Sequence, residues 1–119
     1  PYNHRQYGAN YHLLNTIARY DGFTVKGKTG VRNYVSSRYC KAKTAFEALE
    51  EMISKARFKT IFLSYNNEGL IPQEMIGVMM KKYGKYELFS HEHQRFKAHA
   101  HHGKNPKTIE FLHVLEKRD

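Results

Sequence analysis

Thr60-Ile61-Phe62-Leu63-Ser64-Tyr65-Asn66-Asn67-Glu68-Gly69, with Pro72 close behind it, is the stretch on which the fold turns. Residues 60–63 are a short, almost unbroken apolar run, the pattern of a strand buried on both faces in a parallel sheet. Asn66 to Gly69 supply the turn chemistry that ends it. Pro72 then stands where a first helical residue is favoured, and Glu74 falls in the positive first turn. Lys81-Lys82 and Gly84 close that helix. Its buried face carries Ile76, Met79, Met80 and Tyr83, and the two methionines read as core filler, since Met adapts to irregular gaps.

Working outward, Thr44 and Glu47 match a capping box, and Ala45, Leu49, Met52, Ile53 and Ala56 share one stripe, which predicts a helix starting near Thr44. An earlier helix is expected from about Asn10 to Arg19, with Leu13, Leu14, Ile17 and Ala18 as its apolar face and Asp21-Gly22 as its stop. Toward the C-terminus, strands are expected from Tyr86 to about His91 and from Thr108 to Leu115. The order is α-α-β-α-β-β, an α/β fold with no internal repeat. Strand, helix, strand and a returning strand predict a parallel crossover unit finished by a terminal antiparallel hairpin, one side of an open sheet. Ligands of such sheets lie beyond the carboxyl ends of the parallel strands, which puts Tyr65-Asn66-Asn67-Glu68 on the functional rim.

The 119 residues are 40% hydrophobic, enough for one compact domain or a piece of a larger one. No run of about 18 apolar residues and no secretory signal occur, so the chain reads as soluble with no membrane partner. A single cysteine, Cys40, excludes an internal disulfide and a cysteine-based zinc cage, and fits a reducing compartment. The formal charge of +9 is concentrated. Between Asp21 and Glu47 no acid interrupts Lys26, Lys28, Arg32, Arg38, Lys41 and Lys43. A second basic stretch between Glu92 and Glu110 holds Arg95, Lys97, Lys104 and Lys107. Basic loops suit a polyanion, because each cation that neutralises a phosphate releases condensed counterions.

Hydrolase and nucleotide-hydrolysing readings are weak, since the chain has no nucleophile elbow, phosphate-loop glycine pattern or dinucleotide fingerprint. His91-x-His93 and His99-x-His101-His102 raise zinc or nickel, but the spacing is loose and the surrounding positive charge disfavours a dication; no metal is expected.

Pro1-Tyr2-Asn3-His4-Arg5-Gln6-Tyr7 resembles the end of the Asp-Pro-Pro-Tyr motif of amino-methylating DNA methyltransferases, with Pro1 as its second proline and Tyr2 as its tyrosine. Phe62 to Gly69 and His93-Gln94-Arg95-Phe96-Lys97 resemble the same family, and Gly27-Lys28-Thr29-Gly30-Val31-Arg32 resembles its Dam-like branch. Together the segments span nearly the whole chain, and Tyr65-Asn66-Asn67-Glu68-Gly69 is the most specific of them. The resemblance implies the C-terminal part of a Rossmann-like, S-adenosylmethionine-dependent adenine-specific DNA methyltransferase of the D12 class. Residues 1–119 would be a single partial domain. The glycine-containing cofactor segment and the target-recognition part would lie upstream, so the chain alone should neither hold S-adenosylmethionine tightly nor methylate.

An adenine amino group is a poor nucleophile, and in this family preorganised acceptors favour its pyramidal form. The aspartate and first proline that would do so are not in the chain. Pro1 and Tyr2 remain of the catalytic motif, and Tyr2 would stack on the extruded base. By the same resemblance Phe96 lines the base pocket, with Asn66 and Asn67 on its rim or shaping the turn. Arg5, Lys26, Lys28, Arg32, Arg38, Arg95 and Lys97 are the candidate contacts to double-stranded DNA. Adenine rather than cytosine rests on the likeness alone, as does a cytoplasmic place at the bacterial nucleoid. Half a sheet should leave an unpaired strand edge and an uncovered apolar face, so self-association or pairing with the other half is expected. A non-catalytic basic module binding DNA or RNA is the alternative.

Overall fold

The structure, a computed structural model, describes residues 3–94 and 107–118, without the side chains at 93 and 94. Two short helices open it: α1 (Tyr7–Asn10) and α2 (His12–Arg19). A single 3-10 turn, Arg38–Cys40, leads into α3 (Ala42–Lys55), which is followed by β1 (Thr60–Asn66), α4 (Gln73–Lys81), β2 (Gly84–Gln94) and β3 (Lys107–Lys117). The expected order of elements holds, with the short α1 added in front.

The sheet has three strands in the order β1-β3-β2, and β3 runs antiparallel to both neighbours. β1 and β2 therefore point the same way, as a crossover through α4 requires, yet they do not touch. The returning strand has inserted between them, Leu115 lying opposite both Ile61 and Tyr86. The expectation of a strand buried on both faces in a parallel ladder is corrected here. Exposure alternates along β1: Ile61, Leu63 and Tyr65 turn toward the helices, while Phe62, 67% exposed, turns away. An apolar run is ambiguous between a strand buried twice and one whose second face is simply uncovered.

Helices α3 and α4 cover one face. Ala45, Leu49 and Ile53 of α3, Ile76, Met79 and Met80 of α4, and Tyr65 and Leu115 of the sheet form one cluster. Met79 and Met80 are fully buried, as filler should be. Gly77 lets Tyr86 approach the helix, since a Cβ there would stand 3.3 Å from the Tyr86 hydroxyl. Lys117 Nζ donates to the carbonyls of Ser54 and Ala56, at 2.9 and 2.6 Å, and so ties the last strand to the end of α3.

Two local expectations are corrected. Thr44 is not a cap: α3 begins at Ala42 with Lys41 as its N-cap, and the Thr44 hydroxyl instead donates to the Arg38 carbonyl at 2.8 Å. α2 ends at Arg19, where the sequence placed its end, with Tyr20 in the left-handed region at φ 47° just ahead of Asp21-Gly22. Among the described residues its apolar face meets no cover: Leu13, Leu14 and Ile17 are 64%, 61% and 66% exposed.

Candidate functional site

At the carboxyl end of β1 the chain folds over itself to make a cleft of about 310 Å³, lined in part by Asn66, Asn67, Gly69, Gln73, Glu74 and Phe111. Its geometry follows from the turn. Asn66 Oδ1 accepts from the Glu68 amide at 3.1 Å and the Asn66 carbonyl accepts from the Gly69 amide at 3.2 Å, an Asx-type turn. Asn67 pairs with Ile109 twice, donating from its backbone amide and accepting at Oδ1, both at 3.1 Å, which extends the β1–β3 ladder with a side chain. Both asparagines thus shape the turn through their carbonyl oxygens and also line the rim.

Gly69 is required by close approach, because a Cβ at that position would fall 2.1 Å from the Tyr65 ring. Tyr65 is buried, and its hydroxyl accepts from the Ile71 amide at 3.4 Å; burial raises its pKa above the usual phenol range. The aromatic therefore acts as a post around which residues 68–71 wrap. Glu74 stands in the first turn of α4, at the positive end of that helix.

Residues 3–41 carry the basic elements. Lys26 and Val31 form an isolated antiparallel bridge, with Gly27 and Gly30 at φ 68° and 63°, so a tight hairpin holds Lys28 and Thr29 exposed at its tip. Positive φ at both positions is readily met only by glycine. Among the described residues the side chains of Arg5, Lys26 and Lys28 form no ion pair and are exposed. Arg38 differs: Nη1 donates to Glu51 Oε2 at 2.7 Å, and Glu51 also receives Lys55 Nζ at 2.6 Å. Those two hydrogen bonds, Lys55 first, hold the Glu51 carboxyl down at about 2.

Arg32 is corrected as an open phosphate contact. It is 6% exposed, and its Nη2 donates to both carboxylate oxygens of Asp21 at 2.8 Å. Nη1 donates to Thr16 Oγ1 at 3.2 Å, and the guanidinium lies 4.7 Å from the centre of the Phe23 ring. The hydrogen bond from Arg32 pulls the Asp21 pKa below its ordinary value. A guanidinium so committed fixes the loop after α2 to the hairpin and has little left to offer a phosphate.

Sequence reasoning missed Gln6. Its Oε1 accepts from the Ser37 amide at 2.8 Å while Nε2 donates to the Ser36 hydroxyl at 3.0 Å and the Ser37 carbonyl at 3.4 Å. Cys40 Sγ donates to the Arg5 carbonyl at 3.4 Å. The segment that follows Tyr2 is thereby stapled to the turn before α3. A lone Gln gives no signal of this, since two of its three bonds are to backbone groups of Ser37 and the third is to one serine hydroxyl thirty residues on. Pro1, Tyr2, Arg95, Phe96 and Lys97 lie outside the described residues, as do His99, His101 and His102.

The family model described as "D12 class N6 adenine-specific DNA methyltransferase" matches residues 1–79, which include the strand-end turn and the basic hairpin. The chain belongs to that family. Among its relatives, Type II methyltransferase M.NlaIII of Neisseria lactamica is 52% identical over 120 residues, covering 98% of this chain and 36% of the relative. Type II methyltransferase M.FokI of Planomicrobium okeanokoites is 38% identical over 98% of this chain and 19% of its own length. Modification methylase StsI of Streptococcus sanguinis is 31% identical, with 99% of this chain and 19% of the relative aligned. The chain thus spans about a third of the length of the first of these and about a fifth of the other two. No solved structure matches.

Proposed function

We propose that this chain is the C-terminal part of a DNA adenine-N6 methyltransferase and supplies the platform that receives an adenine swung out of the duplex. The observation that carries this reading is the cleft at the end of β1, built by Asn66, Asn67 and Gly69 in a chain of the D12 family. The reaction would exchange one hydrogen of the adenine amino group, lost as a proton, for a methyl group that a sulfonium donor would supply. Same-direction strands β1 and β2, joined through α4 with β3 between them, support one side of a Rossmann-like sheet.

S-adenosylmethionine, the methyl source the family implies, does not fit the described residues by themselves. The basic hairpin repels a sulfonium cation, and no glycine-rich strand turn offers backbone amides to the cofactor's carboxylate. Residues of the protein outside this stretch would hold that group and supply the methyl. What this chain contributes is binding and orientation. Tyr2 stacks on the flipped base, Phe96 closes the pocket, and Asn66 and Asn67 present their amide nitrogens at its rim. Arg5, Lys26, Lys28, Arg95 and Lys97 hold the phosphates, with Arg38 joining them by exchanging Glu51 for phosphate. The working place is bacterial DNA in the cytoplasm, within a modification system of the kind the relatives' names describe. The uncovered faces pair with the upstream half, or with another copy when that half is missing.

The test has two arms. Calorimetry on residues 1–119 should show no micromolar affinity for S-adenosylmethionine. The full-length protein should transfer tritiated methyl groups to adenine in duplex DNA. In that protein Tyr2→Ala should reduce transfer by about 5- to 150-fold, since it removes the stacking partner, worth about 1–3 kcal/mol per base. DNA binding without any transfer would replace the reading with a non-catalytic basic module.

A further inference from the structure

A second cleft, of about 290 Å³, lies away from the strand end, between the two N-terminal helices and residues 32–34. Gly8, Asn15, Arg19, Arg32, Asn33 and Tyr34 line it. Its walls are held from several sides. Tyr34 rests against the α1 backbone so closely that a Cβ on Gly8 would meet it at 2.5 Å. Arg32 is pinned by the fork onto Asp21 and by Thr16.

The groups that face the opening are the unusual part. Asn15 and Arg19 sit one helical turn apart on α2, and Asn33 follows the pinned Arg32. Among the described residues the side chains of Asn15, Arg19 and Asn33 form no hydrogen bond or ion pair, and all three are exposed. The nearby carboxylate, Asp21, is held in close contact by Arg32, and Arg19 acts on it only at longer range, without an ion pair. The concavity therefore gathers one fork of donors, two carboxamides carrying both donors and acceptors, and an aromatic side chain, beside a hairpin that presents Lys28.

A phosphate only accepts hydrogen bonds, so carboxamide acceptors would be wasted on it. A base edge carries donors and acceptors together, and Arg and Asn are the side chains whose geometry matches base edges. We infer that this cleft receives the edge of one base of the DNA, read by Arg19, Asn15 and Asn33, so that part of target recognition resides in this chain. The inference rests on the proposed action on DNA, and it adds a reading site to a chain in which the sequence suggested none.

The full-length protein, offered a randomised pool of 20-base-pair duplexes, gives the test through sequencing of what it binds, with methyl transfer measured separately on the same preparations. Arg19→Lys keeps the charge and loses the fork, while Asn15→Ala and Asn33→Ala remove single carboxamides at exposed positions; melting temperatures check that each variant is folded. Lys28→Ala serves as a phosphate-contact comparison. The expected result is that at least one cleft variant relaxes a single position of the bound sequence, lowering the preference there by roughly tenfold or more, while Lys28→Ala weakens all sequences alike. A bound sequence unchanged in all three cleft variants overturns the inference, and so does a wild-type protein that binds every duplex equally. Relaxed recognition in a protein that transfers no methyl group would support the cleft and strike the enzymatic reading alone.

Discussion

At the scale of single residues, the sharpest demands come from glycines at close approaches and from one buried histidine. Gly84→Ala would place a Cβ 1.9 Å from the Glu116 carbonyl oxygen, a backbone atom that cannot swing aside. Gly69→Ala would place one 2.1 Å from the Tyr65 ring. Both should lower stability by about 1–3 kcal/mol or more, as overpacking does, and chemical denaturation should rank Gly84→Ala as the worse. His113 is fully buried beside Tyr86, whose hydroxyl shares a 2.8 Å hydrogen bond with Nδ1. Nε2 has no partner among the described residues, and burial holds the imidazole below the usual histidine range of 6.5. The unfolded chain thus takes up the proton more readily than the folded one. Stability from this group is complete above about pH 6.5 and declines as pH falls toward the folded value, by at most about 1.4 kcal/mol per pH unit. Denaturation midpoints measured between pH 7.5 and 5 should show that decline, and His113→Leu should flatten it. The Arg32–Asp21 pair carries an asymmetry of its own. Arg32 is 6% exposed and Asp21 41%, so Asp21→Ala strands a buried cation whereas Arg32→Leu frees a carboxylate that water can reach. Urea denaturation should find Asp21→Ala the more destabilising of the two.

Elements were legible where local chemistry decided them. The stripe of Ala45, Leu49 and Ile53, the Asn66 to Gly69 turn and the methionines of α4 all occupy the places their spacing suggested, because a helix period and a turn residue act over a few positions. The pairing of β1 was not legible in the same way. Phe62 is as apolar as Leu63, and only the partner across each face decides which of them is covered. α2 makes the same point, since Leu13, Leu14 and Ile17 form a clear stripe that packs on nothing described. Of the candidate site, the rim at Asn66 and Asn67 was readable from the strand end. The commitment of Arg32 to Asp21 was not, because a cation in a basic stretch looks the same whether it faces solvent or a carboxylate eleven residues back. On the outer sheet face Phe62, Phe89 and Leu112 are 67%, 54% and 40% exposed. Sedimentation of the isolated chain should show self-association that Phe62→Lys reduces, as expected when a contiguous apolar surface is broken by charge. An unchanged distribution would exonerate that face.

For the molecule as a whole, shape and charge both depart from an ordinary small domain. The radius of gyration is 17.7 Å, against about 13–14 Å for a compact chain of this length. Exposed cations lie on both sides of the start of α3, and Lys26 and Lys28 stand on the hairpin ahead of it. Affinity for duplex DNA should therefore fall steeply between about 50 and 200 mM salt, and Lys28→Ala should lower the slope of that dependence by about one. A flat response would take the hairpin out of the interface. The order of strands has one more consequence, for how the protein is made. Among the described elements β3 comes after both of its neighbours in sequence yet is the middle strand of the sheet, and the two strands it joins have no ladder without it. A ribosome delivers β1 and β2 before β3, so until residues 107–117 have been made both must wait without the partner strand that pairs them. Sheet assembly is thereby postponed until β3 has emerged, and a chain released before residue 107 would contain its helices but no means of zipping the strands together.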